Sequence, residues 1–157
     1  MAGVCDVNSC RTCPICVISD VLIRYAYFTT NEDRVVYLFR TIDVDEFFHT
    51  PAHYFIDMQL SGFLRYTRIP TRIWISIGRE YCGRYKVLFD CVTHGVYPYR
   101  YCNGDFAMRH ISYDYIDGSC SDYNLYYVVG YRISEPSPSD YVYARVIIDR
   151  MTFRRVA

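Results

Sequence analysis

The chain has 157 residues, of which 52% are hydrophobic and 18% aromatic, and its formal net charge at pH 7 is zero. This apolar content excludes a globally disordered chain, and the length fits one domain with a buried core. A neutral chain produces no overall field toward nucleic acid or a membrane surface, so neither is an expected partner.

The first sixteen residues contain half of the 8 cysteines, in the pattern C-x4-C-x2-C-x2-C. These are Cys5, Cys10, Cys13 and Cys16. Zinc prefers four soft ligands in a tetrahedron, and C-x2-C spacing presents thiolates from one tight turn. We therefore expect residues 1–16 to form a Cys-rich segment held by a structural zinc, ahead of a single domain at 17–157. Disulfides and free thiols are the alternatives, because no second, separated C-x2-C pair exists.

After this segment, period-two alternation and turn residues predict an all-β fold with about eight or nine strands. The predicted strands cover residues 21–28, 34–42, 54–66, 72–78, 81–92, 96–102, 106–116, 123–133 and 141–153. Ile73, Ile75 and Ile77 alternate strictly and should share one face. The spacing of strands and turns indicates a Greek-key β-sandwich or an open barrel.

The residues between these strands predict one short helix, two turns and a surface loop. Asp43 and Glu46 have capping-box spacing, which predicts one short helix at 43–49, ended by Pro51. Asn103-Gly104 predicts a two-residue hairpin turn, and Asp117-Gly118 predicts another turn. Ser61-Gly62 predicts a bulge or kink inside a strand, and the Pro/Ser-rich residues 135–140 predict a surface loop.

No pattern in the chain predicts catalysis or a bound organic cofactor. A Gly-rich phosphate loop, a G-x-S-x-G elbow and a dinucleotide fingerprint are all missing from the sequence. His49 and His53 have the spacing of a helical metal pair, but Pro51 between them breaks the helix that this spacing needs. We expect a protein that is not an enzyme. A small metal-dependent enzyme or nuclease, using His94, His110 and nearby thiols, is the second alternative.

Tyrosine and arginine are in excess, with 18 Tyr and one Lys among 17 basic residues. Both residue types anchor protein interfaces. Cations and aromatic rings interleave over about twenty residues, and this stripe is the predicted interaction surface. Its members are Arg65, Tyr66, Arg68, Arg72, Tyr81, Arg84 and Tyr85. Because side chains alternate between the two faces of a strand, only about half of these residues can lie on one face. This favours a sheet surface covered by salt bridges over a nucleic-acid site.

The sequence shows no secretory signal, no membrane-spanning apolar run and no N-x-[ST] sequon, which predicts a cytoplasmic or nuclear protein. We expect a non-enzymatic protein-interaction domain, with a viral accessory or host-interaction protein as one form of it. Its partner is another protein, including a further copy of itself. The first alternative is a self-assembling protein that builds a shell or lattice from Tyr-rich edge strands.

Overall fold

The computed structural model describes residues 5–6, 15–27, 32–48, 50–66, 72–94, 104–132, 135 and 137–156. Almost all of these residues are β-strand. The strands are β1 (Cys5–Asp6), β2 (Ile15–Tyr27), β3 (Glu32–Asp43), β4 (Ala52–Tyr66), β5 (Arg72–Tyr81), β6 (Arg84–His94), β7 (Gly104–Ile116), β8 (Asp122–Arg132) and β9 (Tyr141–Val156). One short helix, α1 (Val44–Phe47), follows β3. The all-β prediction is confirmed.

The strands pair like one long hairpin that has been rolled up. β5 pairs with β6 through a tight turn; outward along the chain, β4 pairs with β7, β3 with β8 and β2 with β9. The pairs alternate between two sheets, of order β1-β2-β9-β4-β7 and β3-β8-β5-β6. Only the short β1 runs parallel to its neighbour in the described residues. Eight antiparallel strands rolled into two sheets in this way form the jelly-roll arrangement.

Both sheets turn one apolar face toward a shared core. Along β4, the alternate residues Tyr54, Ile56, Met58 and Leu60 are buried, while the residues between them face outward. The second sheet contributes residues from all four of its strands to the same core, among them Ile42, Ile75, Phe89 and Tyr123. Full burial of such a side chain stabilises the fold by about 1.5–3 kcal/mol relative to exposure.

Aromatic contacts join the two sheets inside this core. The ring of Tyr123, on β8, lies 5.5 Å from the ring of Phe48 and 5.9 Å from that of Phe153, on β9. Phe48 and Phe153 also meet edge to face at 5.7 Å. Because offset and edge-to-face geometries are the favourable ones for aromatic pairs, these three rings fix how the sheets face each other.

Helix α1 begins where the capping signal places it. The side chain of Asp43 accepts hydrogen bonds from the backbone N–H groups of Asp45 and Glu46, at 3.0 and 3.3 Å. These bonds satisfy two N–H groups that a helix start leaves without partners. The helix ends at Phe47, two residues earlier than predicted, and Phe48 takes an extended conformation and enters the core.

The strand boundaries agree with prediction to within a few residues except at β2, β5 and β6. Strand β2 begins at Ile15 instead of the predicted residue 21, inside the predicted Cys-rich segment 1–16. The predicted break at residues 79–80 is wrong: β5 continues to Tyr81, and the turn consists of Cys82 and Gly83, at φ 55° and 71°. Positive φ at both central positions defines a type I′ hairpin turn, which a Cys-Gly pair signals less clearly than Asn-Gly. The register shift between β4 and β9 lies at Gln59 and Leu60, just before the predicted Ser61-Gly62 kink, but the extra residue is Asp149 on β9, since Gln59 aligns with Arg150 and Leu60 with Ile148.

Other predicted elements fall partly or wholly on residues that are not described. The predicted strand at 96–102 and Asn103 lie outside the described residues, while Gly104 opens β7 and pairs with Leu64 of β4. Ile75 and Ile77 are both buried and so share one face, as the alternation predicted, and the side chain of Ile73 is not described. In the parts of the chain covered here, no helix has the length and apolar character needed to cross a membrane.

Candidate functional site

A disulfide and a set of hydrogen bonds fasten the turn between β5 and β6 to the loop between β7 and β8. Cys82 and Cys120 are bonded, with their Cα atoms 5.6 Å apart. Beside them, the Tyr81 hydroxyl donates to Asp117 at 3.1 Å and accepts from the Cys120 backbone N–H at 3.2 Å. We call this group of residues the staple. It locks the tip of the rolled hairpin onto a neighbouring loop.

A buried polar cluster lies next to the staple and connects the two sheets. Asp114, on β7, accepts hydrogen bonds from Arg79 Nε at 2.7 Å and from the Tyr123 hydroxyl at 2.7 Å. Its other oxygen accepts from Arg79 Nη2 and from the Tyr115 backbone N–H. Lys86 Nζ lies 3.7 Å away and donates to the Tyr113 carbonyl. Every lone-pair direction of this carboxylate is therefore engaged.

The hydrogen bonds to Asp114 determine the pKa values in this cluster. Burial alone would raise the pKa of Asp114, but hydrogen bonds from Arg79 and Tyr123 outweigh it and hold the pKa below its ordinary value. Burial, together with the Asp114 charge, raises the pKa of Tyr123 well above its ordinary value. Near neutral pH, Asp114 is ionised and Tyr123 is protonated. Neither group has a pKa near neutral pH, as a proton-transferring group would need. We therefore assign the cluster a structural role, which is to hold the two sheets together.

The predicted interaction stripe divides in the structure. Arg65 and Tyr66 end β4 and Arg72 begins β5, but their side chains are not described, and Arg68 lies outside the described residues. Tyr81 is buried, because it falls on the core-facing phase of β5 and its hydroxyl belongs to the staple. A surface role for Tyr81 is therefore wrong.

The end of the stripe is exposed. Arg84 directly follows the turn, and Tyr85 lies on the outer face of the second sheet. Gly78 explains the position of Tyr85: a Cβ built on Gly78 would fall 2.1 Å from the Tyr85 hydroxyl. The tyrosine ring thus lies across the glycine and fills the space that a side chain would take.

The predicted zinc ligands fall only partly within the described residues. Cys5 and Cys16 are aligned partners in the parallel pairing of β1 with β2, while Cys10 and Cys13 lie outside the described residues. Neighbouring strands are about 4.8 Å apart, so this register brings the first and last members of the motif side by side along the backbone.

The histidines that are described pack against aromatic rings. His53 lies 4.6 Å from the ring of Tyr115, and His110 lies 5.5 Å from that of Phe89. The side chains of His49 and His94 are not described. Among the described side chains, no three His, Cys, Asp or Glu residues converge as a metal site would require.

The structure shows an exposed apolar strand edge that sequence reasoning missed. Val36, Tyr37 and Leu38 are consecutive in β3 and are 44%, 60% and 48% exposed. In the described part of the chain, β3 pairs on one side only, with β8. The sequence signal is a β-branched and aromatic run, which predicts a strand at 34–42 but does not indicate its place in the sheet. Nothing local distinguishes an edge strand from a central one.

Comparison with known proteins gives no family for this chain: no family model matches its sequence, and neither does any curated protein.

Proposed function

We propose that this protein is a non-enzymatic structural subunit that associates with further copies of itself, and that the edge of β3 is the contact. The observation that carries the proposal is the run of Val36, Tyr37 and Leu38, all strongly exposed on an edge strand. A strand edge presents backbone N–H and C=O groups to any passing strand, and proteins usually protect such edges with charges, proline or short strands. Here the most exposed part of the edge is apolar.

A second copy of the chain is the partner that this edge fits. When β3 of one copy pairs antiparallel with β3 of another across a two-fold axis, each copy uses the same residues, as an isologous contact requires. Such pairing would join two four-stranded sheets into one continuous sheet. The zero net charge of the chain means that two copies do not repel each other over long range.

Apolar side chains extend from this edge across the outer face of the second sheet. The pairing places Leu38 beside Tyr126, Tyr126 beside Gly78, and Gly78 beside Val87. Tyr85 covers Gly78, and Val87 is exposed. A large apolar area on a sheet face is typical of an interaction surface, and this row would flank the strand-to-strand contact.

The rolled-hairpin topology is compatible with the shell-or-lattice form of this function. Jelly rolls occur in viral capsid proteins, in lectin domains and in cupins. One fold hosts many functions, so the topology alone does not choose among them. A closed shell also needs a second, differently oriented contact besides the two-fold one. Electron microscopy of concentrated protein tests this form, for which we expect particles of uniform size.

Association is measured by light scattering coupled to size exclusion, over a hundredfold range of concentration. We expect the wild-type mass to rise with concentration. Tyr37→Lys places a charge on the edge and should leave a monomer, because a lysine there opposes strand pairing. Tyr113→Lys is the matched control, since Tyr113 is equally exposed but lies on the other sheet, and it should associate like the wild type. A wild-type protein that stays monomeric throughout would refute the proposal.

Structural zinc at Cys5, Cys10, Cys13 and Cys16 stays a prediction, which the alignment of Cys5 with Cys16 supports at the level of the backbone. Protein purified under reducing conditions should carry one zinc per chain. Replacing Cys10 and Cys13 by serine should remove the metal, while replacing Cys91, outside the motif, should not. Full-length protein with four alkylatable thiols in this segment and no metal would contradict the prediction.

The cytoplasmic or nuclear location also stays a prediction. The Cys82–Cys120 disulfide counts against it, because disulfides persist mainly in oxidising compartments. A host-interaction role and a metal-dependent enzyme gain no support from the described side chains. Mass spectrometry of protein trapped with alkylating agent in the producing cells decides the redox state. A bridged chain would place the protein in an oxidising environment.

A further inference from the structure

The outer face of the first sheet combines arginines with exposed aromatic rings. Three rows cross β7, β4 and β9, as the strand register shows. They are Tyr113–Phe55–Arg154, Ile111–Asp57–Thr152 and Arg109–Gln59–Arg150. A further row begins with Tyr115 and His53. We call this surface the arginine–aromatic face. It is separate from the β3 edge, which belongs to the other sheet.

The charge on this face is unbalanced. Asp57 is the single carboxylate in the three rows named above. Arg109 donates hydrogen bonds to both of its oxygens, one of them from Nε to Oδ1 at 2.8 Å. Hydrogen bonding from Arg109, opposed by burial and aided by the charges of Arg109, Arg150 and Arg154, lowers the pKa of Asp57. Arg150 and Arg154 are exposed, and neither has a carboxylate within ion-pair distance among the described residues. Two positive charges are therefore available to a ligand.

The aromatic half of the face is arranged for stacking. Phe55 and Tyr113 meet edge to face at 5.4 Å, and the guanidinium of Arg154 lies 5.1 Å from the centre of the Phe55 ring. Tyr113 is 57% exposed and Tyr115 48% exposed. Phe55 thus holds the arginine against an aromatic surface while the two tyrosine rings face solvent.

We infer that the arginine–aromatic face binds single-stranded nucleic acid, with Arg150 and Arg154 contacting phosphates and Tyr113 and Tyr115 stacking on bases. This ligand offers an anion and a flat π-face in each repeating unit, which is the combination that the surface displays. An acidic peptide or a sulfated glycan offers the anion without a regular series of flat rings. Arg150 and Arg154 are four residues apart on one strand, about 13 Å, so they contact separate phosphates.

The shape of the face also favours an extended ligand. Two adjoining shallow depressions, of about 170 and 200 Å³, share Asp57, Arg109, Arg150 and Thr152, and the first also reaches Phe55 and Arg154. Pockets for small organic ligands are typically about 300–1,000 Å³ and enclose most of the ligand. The zero net charge of the chain argued against a nucleic-acid partner, but it describes the molecule as a whole. Binding depends on the local excess of positive charge on this face.

The phosphate contacts are tested by fluorescence anisotropy with a labelled 20-nucleotide oligothymidine at several salt concentrations. Replacing Arg150 and Arg154 together by alanine should weaken binding at least tenfold at low salt. It should also make the slope of log affinity against log salt shallower by about 1.4, since each phosphate contact to a single strand contributes about 0.7. Arg84→Ala with Arg155→Ala is the matched control. Both residues are exposed, and Arg155 follows Arg154 on β9 but alternates away from the face.

The stacking contacts are tested with Tyr113→Ala, which should weaken binding at least fivefold, because base–aromatic stacking contributes about 1–3 kcal/mol per base. Tyr113→Phe, which keeps the aromatic ring and removes only the hydroxyl, is the matched control and should change affinity less than twofold. Heparin serves as a polyanion without bases. No oligonucleotide binding at low salt would overturn the inference. So would heparin binding as tight as oligothymidine binding, if Tyr113→Ala has no effect. Neither outcome bears on association through β3.

Discussion

Arg79 and Asp114 connect the two sheets through a forked pair of hydrogen bonds, Nε to Oδ2 at 2.7 Å and Nη2 to Oδ1 at 3.2 Å. Arg79 belongs to β5 and Asp114 to β7, which lie in different sheets. Both side chains are almost fully removed from solvent, with 11% and 4% exposed. A forked geometry of this kind fixes orientation as well as distance, so it defines how the sheets sit against each other at this side of the core.

Asp114→Asn should destabilise the fold by about 3 kcal/mol, because it leaves the Arg79 guanidinium buried without its counter-charge. Chemical denaturation measures this change. Asp57→Asn is the matched control: it also breaks an Arg–Asp fork, but Arg109 is 62% exposed, so the loss should stay below about 1 kcal/mol. Equal losses in the two variants would contradict the assignment of Asp114 as the connection between the sheets.

The same carboxylate should make stability depend on pH in the acid range. Its pKa in the folded protein is below the ordinary 3.8, so its contribution is complete above that value and is lost as pH falls through the lowered pKa. The difference in unfolding free energy between wild type and Asp114→Asn should therefore shrink below pH 3.8. Denaturation curves at a series of pH values test this, and a difference that stays constant down to acid-induced unfolding would refute it.

Reduction of the Cys82–Cys120 disulfide should destabilise the protein by about 4 kcal/mol in the chain-entropy model, since the bond closes a loop of sequence separation 38. For a chain of this size, that loss corresponds to a melting temperature lower by about 10 °C. Calorimetry with and without reductant measures it. A Cys82→Ser/Cys120→Ser variant should melt at the lower temperature in both conditions. If the melting temperature of the wild type is the same with and without reductant, the disulfide is not formed.

Gly78→Ala should destabilise the protein by about 1 kcal/mol, because the new methyl group displaces the Tyr85 ring from the sheet. In a Tyr85→Ala background the same change should be neutral or stabilising, since alanine restricts the unfolded chain more than glycine does. The double-mutant cycle isolates this coupling. Equal effects of Gly78→Ala in both backgrounds would show that the ring does not lie over the glycine.

The sequence predicted the strands well because each depends on a local pattern. The alternation in β4 and the Asp43 cap are examples in which neighbouring residues decide the structure. Which strands pair is not a local property. Nothing in the residues near Val21 signals that β2 lies beside β9, at the opposite end of the chain.

The candidate surfaces were harder to predict for the same reason. Tyr37 and Tyr127 have similar strand contexts and are aligned partners, but Tyr37 is exposed at an edge and Tyr127 is buried one strand further in. The arginine–aromatic face combines residues 55–59, 109–115 and 150–154, which are distant in sequence, so a scan along the chain finds no basic aromatic stretch there. The stripe at 65–85 was visible because its members are neighbours in sequence, and among its described side chains Tyr81 is buried while Arg84 and Tyr85 are exposed.

The pairing of β2 with β9 has a consequence for synthesis on the ribosome. Ile15 is aligned with Arg154, and Tyr27 with Tyr141, so the central pairings of the first sheet cannot form before the last strand has left the exit tunnel. Such long-range closure slows folding, and until it occurs the backbone edges of β2 and β4 that pair with β9 stay open. Until β9 is in place, these open strand edges can pair with other chains, and this is the stage at which aggregation competes with folding.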